Sequence, residues 1–248
     1  MDHVRVARHD AVAVVTLVDV ERRNAMTAPM VGEIGATFDA LERDESVGAV
    51  VVTGEPPAFC SGADVSSLGA LAGARDERER GGIASIYEGF LRVRRSPLPT
   101  VAAVNGPAIG AGMNLALACD VRVAARGARF DPRFCRIGLH PGGGHTWMLE
   151  RSVGPQAAAA MVLFGEALDG ERAAAVGLAW RCVADDVLIA AAVELAARAA
   201  QVPRALAARV KQTMAAGRAL DFDAVLALEI EAQTWSLGQG WFPGRSSH

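Results

Sequence analysis

The chain has 248 residues, 51% of them hydrophobic, and its 25 basic and 28 acidic side chains leave a formal net charge of −3. That length supports a single domain with a large core, or one domain with a helical appendage, and the balanced charge offers no electrostatic footprint for nucleic acid. The start, MDHVRVARHD, carries neither a basic n-region nor an apolar h-region, and no apolar run is long enough to span a bilayer, so a soluble cytoplasmic protein is expected.

In chain order, Val4 to Arg8 and Val12 to Val18 alternate around His9 and Asp10, which predicts a hairpin. DVERRNAMT follows. Its adjacent Arg22 and Arg23 read as solvated side chains, and Thr27 with Pro29 predicts a helix start. From Met30 to Arg43 the apolar Val31, Ile34, Phe38 and Leu41 recur at intervals of three and four, the pattern of an amphipathic helix. A strand over Val47 to Thr53 leads through VVVTGEPPAFCSGAD to the small residues Ser61, Gly62 and Ala63. Asp64 falls in the first turn of the helix expected next, where a carboxylate suits the helix dipole. Ala70 to Gly82 is charged and loop-like, and Ile83 to Val93 is helical in period. The prolines of SPLPT then enforce an extended approach.

TVAAVNGPAIGAGMNLALACD (Thr100 to Asp120) repeats the layout of the first corner. A buried strand over Thr100 to Asn105 meets a turn built on Gly106, Pro107, Gly110 and Gly112, and a helix begins near Met113. Cys119 to Ala125 and Ala128 to Phe130 read as further strands. From Gly154 onward the chain turns helical, interrupted by a strand over Leu178 to Val183 and ending in a segment over Phe222 to Leu237.

The two small-residue corners can each offer one backbone N–H to a single oxygen, the arrangement of an oxyanion hole; the alternative is that small residues simply pack strand ends against helices. AFCSGAD and AAVNGPAIGAGMNLALACD, with ERRNAMT upstream and GLHPGGGHT downstream, resemble the enoyl-CoA hydratase/isomerase (crotonase) family over Val4 to Val183. The resemblance implies an α/β fold, a crotonase-like spiral of ββα units with a C-terminal helical region. It divides the chain into a core over 1–195 and a helical oligomerisation region over 196–248. It makes Ala63 and Ala111 the oxyanion donors to an acyl-CoA thioester. It also places coenzyme A against Arg22, Arg23 and Ala25, and against Ser61, Gly62, Asp64, Gly110 and Gly142. The implied assembly is a homotrimer or a hexamer, with the thioester as substrate or ligand and no separate cofactor.

Two positions depart from the family pattern. Its hydratases carry glutamates where this chain has Asn114 and Phe134, and neither an amide nor a phenyl ring titrates. Three titratable residues in FDPRFCRIGLHPGGGHT are candidates to replace them: Asp131, His140 and His145. Asp131 lies close to Arg133 and Arg136 and suits a structural ion pair equally well. The five-residue spacing of the histidines across glycines is not that of a helical zinc pair, so no metal is expected. Cys60, Cys119, Cys135 and Cys182 form no C-x-x-C pair and read as small buried hydrophobes, with Cys60 and Cys135 nearest the site. No G-x-G-x-x-G, P-loop or G-x-S-x-G motif is present. Two functions remain open: an enzyme of fatty acyl-CoA metabolism, a lyase or isomerase working through an enolate, and an acyl-CoA binder that has lost hydratase activity.

Overall fold

Short runs of valine and alanine build the centre of the molecule. In the computed structural model, which describes residues 3–64 and 77–242, β2 (Val12–Leu17), β3 (Ala49–Gly54) and β4 (Thr100–Val104) are buried almost throughout. Strands covered on both faces need such continuous apolar runs, and β-branched residues favour the extended backbone. With β1 (Val4–His9), β6 (Val121–Ala125) and β9 (Arg181–Val183) they form a sheet of order β1-β2-β3-β4-β6-β9. Its pairs are parallel except the β1–β2 hairpin, in register from Val4↔Leu17 to His9↔Val12.

The side-chain period of two divides the core. Val50, Val52, Ala102 and Val104 point to one face, where α1 (Ala28–Arg43), α2 (Glu77–Arg94) and α3 (Ala111–Ala118) supply Phe38, Phe90 and Leu115. Val51, Val101, Ala103 and Val123 point to the other and meet Leu188, Ala192 and Ala196 of α6 (Leu188–Ala200). Position 195 therefore falls inside a helix that packs on the sheet. Among the described residues the remaining α-helices are α4 (His145–Val162), α5 (Gly170–Ala175), α7 (Arg204–Ala216) and α8 (Phe222–Gly238). Among the described residues no helix is long and apolar enough to cross a membrane.

Thr27 caps α1, its hydroxyl accepting the Met30 N–H at 3.4 Å, with Pro29 in the first turn, as the sequence predicts. Three expectations change. Residues 77–82, read as loop, belong to α2; the helix start expected after Asp64 lies outside the described residues. The turn after β4 contains a strand, β5 (Pro107–Ile109), which pairs in parallel with β7 (Arg129–Asp131) in a second sheet completed by β8 (Leu168–Asp169). Three residues are too few to display a strand period. The expected strand at Leu178 begins only at Arg181, because Leu178 and Ala179 are spent on the turn that leaves α5.

Candidate active site

Strands β3 and β4 are neighbours in the sheet, so the corners that follow them emerge side by side. They are stitched together by backbone bonds: the Cys60 N–H donates to the Pro107 carbonyl at 3.1 Å, and the Ile109 N–H donates to the Cys60 carbonyl at 3.0 Å. Gly112 has to lack a side chain, since a Cβ there would collide with the Cys60 carbonyl oxygen. Gly62, at φ +102°, would carry a Cβ 2.6 Å from the Ile109 carbonyl oxygen and 3.5 Å from the Ala111 nitrogen. Ala63 thus follows a residue whose Cβ position lies close to the Ala111 amide. Ala111 opens α3 behind Gly110, which has φ +51° and no capping side chain, and a first-turn N–H has no acceptor within its own helix.

The loop of residues 19–26 closes against the first corner. The Ser61 N–H donates to the Arg23 carbonyl at 3.0 Å, the Ser61 hydroxyl to the Arg22 carbonyl at 2.8 Å, and the Met26 N–H to the Gly62 carbonyl at 2.8 Å. Ala63 pairs with Met26, and Ala25 is buried beneath. The Arg22 guanidinium lies 3.3 Å from Asp19, and the exposed Arg23 has no ion-pair partner among the described residues. Arg22, Arg23, Ala25, Ser61 and Gly62 are therefore brought together, with the half-buried Asp64 one residue beyond Ala63.

Holding this loop is a residue the sequence reading passed over. Asn24 is fully buried; its Oδ1 accepts the Asp19 N–H at 2.9 Å, and its Nδ2 donates to the Glu55 and Ala58 carbonyls, each at 2.8 Å. A buried amide needs such partners, and here they tie the 19–26 loop to the segment entering the corner. The signal was an asparagine inside ERRNAMT, followed by Ala25 and Met26, which are themselves buried.

Positions 114 and 134, which the resemblance singles out, meet one imidazole. Asn114 is buried in the first turn of α3, its Nδ2 donating to the Gly142 carbonyl at 2.9 Å. That bond fixes the amide, so Oδ1 faces His145 Nδ1 at 2.7 Å. An amide oxygen only accepts; Nδ1 must carry the proton and Nε2 the lone pair. The Phe134 ring packs edge-on against the same imidazole with centroids 5.0 Å apart, and reaches back to 3.8 Å from the Cβ position of Gly110. His145 is 1% exposed, and its Nε2 is buried with no hydrogen-bond partner among the described residues. Burial pushes its pKa down to about 4, which leaves it neutral at pH 7.

The other two candidates sit elsewhere. Asp131 is 1% exposed inside an arginine cage: Oδ1 accepts from Arg136 at 2.7 Å, Oδ2 from Arg133 at 3.0 Å, and Arg129 stands 3.8 Å away. Both oxygens are engaged, which is the ion-pair alternative. Its backbone does reach the site, because the Asp131 carbonyl accepts the Gly110 N–H at 3.0 Å. His140 is exposed, with Nδ1 donating to the carbonyl of Pro141 at 2.7 Å. Cys60 is buried, which raises its thiol to about 12 and removes it as a nucleophile, whereas Cys135 is exposed, against the expectation of a buried thiol.

Tyr87 was also missed. It is the single tyrosine of the chain. It is half-buried, and a Cβ on Gly142 would collide with its hydroxyl oxygen. Burial raises the phenol's pKa, and a hydrogen bond from the Gly143 N–H works in the opposite direction.

Residues 7–237 match the family model described as enoyl-CoA hydratase/isomerase. A probable enoyl-CoA hydratase of Mycobacterium tuberculosis, EchA14, is 52% identical over 205 residues, which covers 83% of this chain and 78% of that protein. The 1,2-epoxyphenylacetyl-CoA isomerase of Escherichia coli is 31% identical and covers 90% of this chain and 85% of its own length. Among solved structures, a putative enoyl-CoA hydratase from Thermobifida fusca, in complex with CoA, superposes with a TM-score of 0.83 at 34% identity, covering 96% of this chain and 93% of that one. An enoyl-CoA hydratase from Polaromonas does so with a TM-score of 0.89 at 28% identity, covering 95% and 92%. With its crotonase-type α/β fold and its C-terminal helices, the chain belongs to the enoyl-CoA hydratase/isomerase family.

Proposed function

We propose that this protein binds an acyl-CoA thioester and transforms it through an enolate, with His145 as the proton-transferring base. The thioester oxygen would accept hydrogen bonds from the Ala63 and Ala111 N–H groups, whose strength grows as negative charge moves onto that oxygen. His145 Nε2 would take the α-proton, and the resulting imidazolium would keep its Nδ1–H on the Asn114 Oδ1. Returning the same proton to another carbon completes an isomerisation; in a hydration Nε2 would instead take a proton from water as the water oxygen bonds to the β carbon, and deliver it to the α carbon of the resulting enolate. Coenzyme A would lie along Arg22 and Arg23, whose guanidiniums suit its phosphates, past Ser61, Gly62 and Asp64, with Gly110 and Gly142 closing around the acyl end. The supporting observation is the imidazole in contact with Asn114 and Phe134, whose Nε2 has no partner of its own.

The relatives' names fit this reading, since they include both hydratases and a CoA-thioester isomerase. Exposed Phe222, Leu226 and Ile230 on α8 support an assembly through the C-terminal helices, as a homotrimer or hexamer. The test combines turnover of crotonyl-CoA and longer enoyl-CoAs with calorimetric titration of a saturated acyl-CoA. His145→Gln is expected to cut kcat by about 10²–10⁴ while leaving saturated acyl-CoA affinity within about threefold. Full turnover in His145→Gln removes the imidazole from the reaction. Tight binding without turnover of any enoyl-CoA in the wild type favours the non-catalytic binder, the reading motivated by the amide at 114 and the phenyl ring at 134.

A further inference from the structure

A cavity of about 880 Å³ opens at the end of α3 opposite the oxyanion corners, between α2, α4 and α7. Ala111 is at one end of α3 and Leu117 and Ala118, which line the cavity, are at the other, so the two sites lie about 10 Å apart along the helix axis. Arg94, Arg122, Arg151, Lys211 and Arg218 all line it. Asp120, the one carboxylate among its lining residues, is already engaged: it lies 2.6 Å from Lys211 and accepts from the Thr100 N–H and hydroxyl at 2.8 and 2.9 Å. Arg95 also lines the cavity and pairs with Glu88 at 2.8 Å; the other four arginines have no carboxylate ion-pair partner among the described residues. Arg122 donates to the Leu178 and Cys119 carbonyls, which are neutral acceptors.

Trp147 gathers three of these like charges. The guanidinium carbons of Arg151, Arg94 and Arg218 stand 4.1, 4.9 and 5.6 Å from its ring centroid. Cation–π attraction holds the guanidiniums against the ring and does not cancel their charge. Burial and the neighbouring Arg218 charge lower the Arg94 pKa, with Asp120 acting in the opposite direction. A concave space within the 300–1,000 Å³ typical of small-molecule sites, walled by arginines and floored by an indole, has the chemistry of a polyanion pocket.

We infer that this cavity binds a small organic or inorganic polyanion bearing two or more phosphate or carboxylate groups, independently of the acyl-CoA site. Calorimetric titration of the full chain at constant ionic strength, once with pyrophosphate and once with citrate, tests it and separates the two kinds of anionic group. One-to-one saturable binding of at least one anion is expected, weakening as salt is raised. Arg218→Ser, in the turn after α7, and Arg94→Gln, at the end of α2, are each expected to weaken it tenfold or more without shifting the urea midpoint. Absence of saturable binding with both anions overturns the inference, as does undiminished binding in both variants. A change of oligomeric state in Arg218→Ser, with no anion binding in the wild type, also overturns it and assigns the cavity to carboxylates of a second copy.

Discussion

The neutral, buried imidazole of His145 makes a quantitative demand on how stability depends on pH. Its pKa is about 4 in the folded protein and about 6.5 in an unfolded chain. Between those values the unfolded chain binds a proton that the folded protein refuses, so acid favours unfolding. The contribution is fully present above about pH 6.5 and is lost as pH falls toward 4. From pH 7.5 to pH 5.0 the wild type should therefore lose about 2 kcal/mol more than His145→Gln, whose amide does not titrate; each pK unit is worth about 1.36 kcal/mol. Urea unfolding of both proteins at the two pH values measures the difference, in which the other titrating groups cancel. Turnover gives a second reading: at pH 5 the imidazole should be about 90% unprotonated, whereas one with an ordinary pKa would be about 3% unprotonated. If both proteins lose the same stability on acidification, the imidazole is not held neutral, and the assignment of Nε2 as a base fails with it.

Asn24→Ala removes three buried hydrogen bonds at about 1 kcal/mol each, and should lower the melting temperature by about 6–12 °C in a calorimetric scan. Gly112→Ala forces a methyl into the Cys60 carbonyl; it should cost about 1–3 kcal/mol in urea unfolding and reduce turnover together, because the corners must part to admit it. Gly32→Ala, on α1 with open space around the Cβ position, is the control and should stabilise by about 0.4–1 kcal/mol. Under native conditions a thiol reagent should modify Cys135 promptly, and should reach Cys60 and Cys119, whose thiols burial raises to about 12, only on unfolding, as mass spectrometry of the labelled peptides will show.

The hairpin, α1 and the central strands were legible because each carries its own local signal: alternation in β1 and β2, the Thr27 cap and the three-and-four spacing in α1, and valine runs in β3 and β4. β5 was not, because its three residues follow a glycine and precede another, and its pairing with β7 is set by a strand twenty residues on. Within the site, the small-residue corners could be located from composition, but the partner of Asn114 could not. His145 lies 31 positions away, and only the path of the glycine loop through Gly142 and Gly143 turns its ring toward the amide. Asp131 was ambiguous for the opposite reason: its arginines lie within five positions, and a sequence cannot say whether such neighbours neutralise a carboxylate or leave it free. The arginine cavity had no sequence signature, since its residues come from α2, α3, β6, α4 and α7.

Helix α3 has no outer side: all eight of its residues are buried. An ordinary surface helix can exchange residues along its solvent stripe at little cost, whereas here any change of volume is felt by a packed neighbour. Such a rod resists piecemeal alteration, and on the proposed function selectivity among thioester chains would be written into the walls that face it, through residues such as Tyr87 and Phe134 that keep partial exposure. A library aimed at new substrates belongs on those walls, with the rod left as it is.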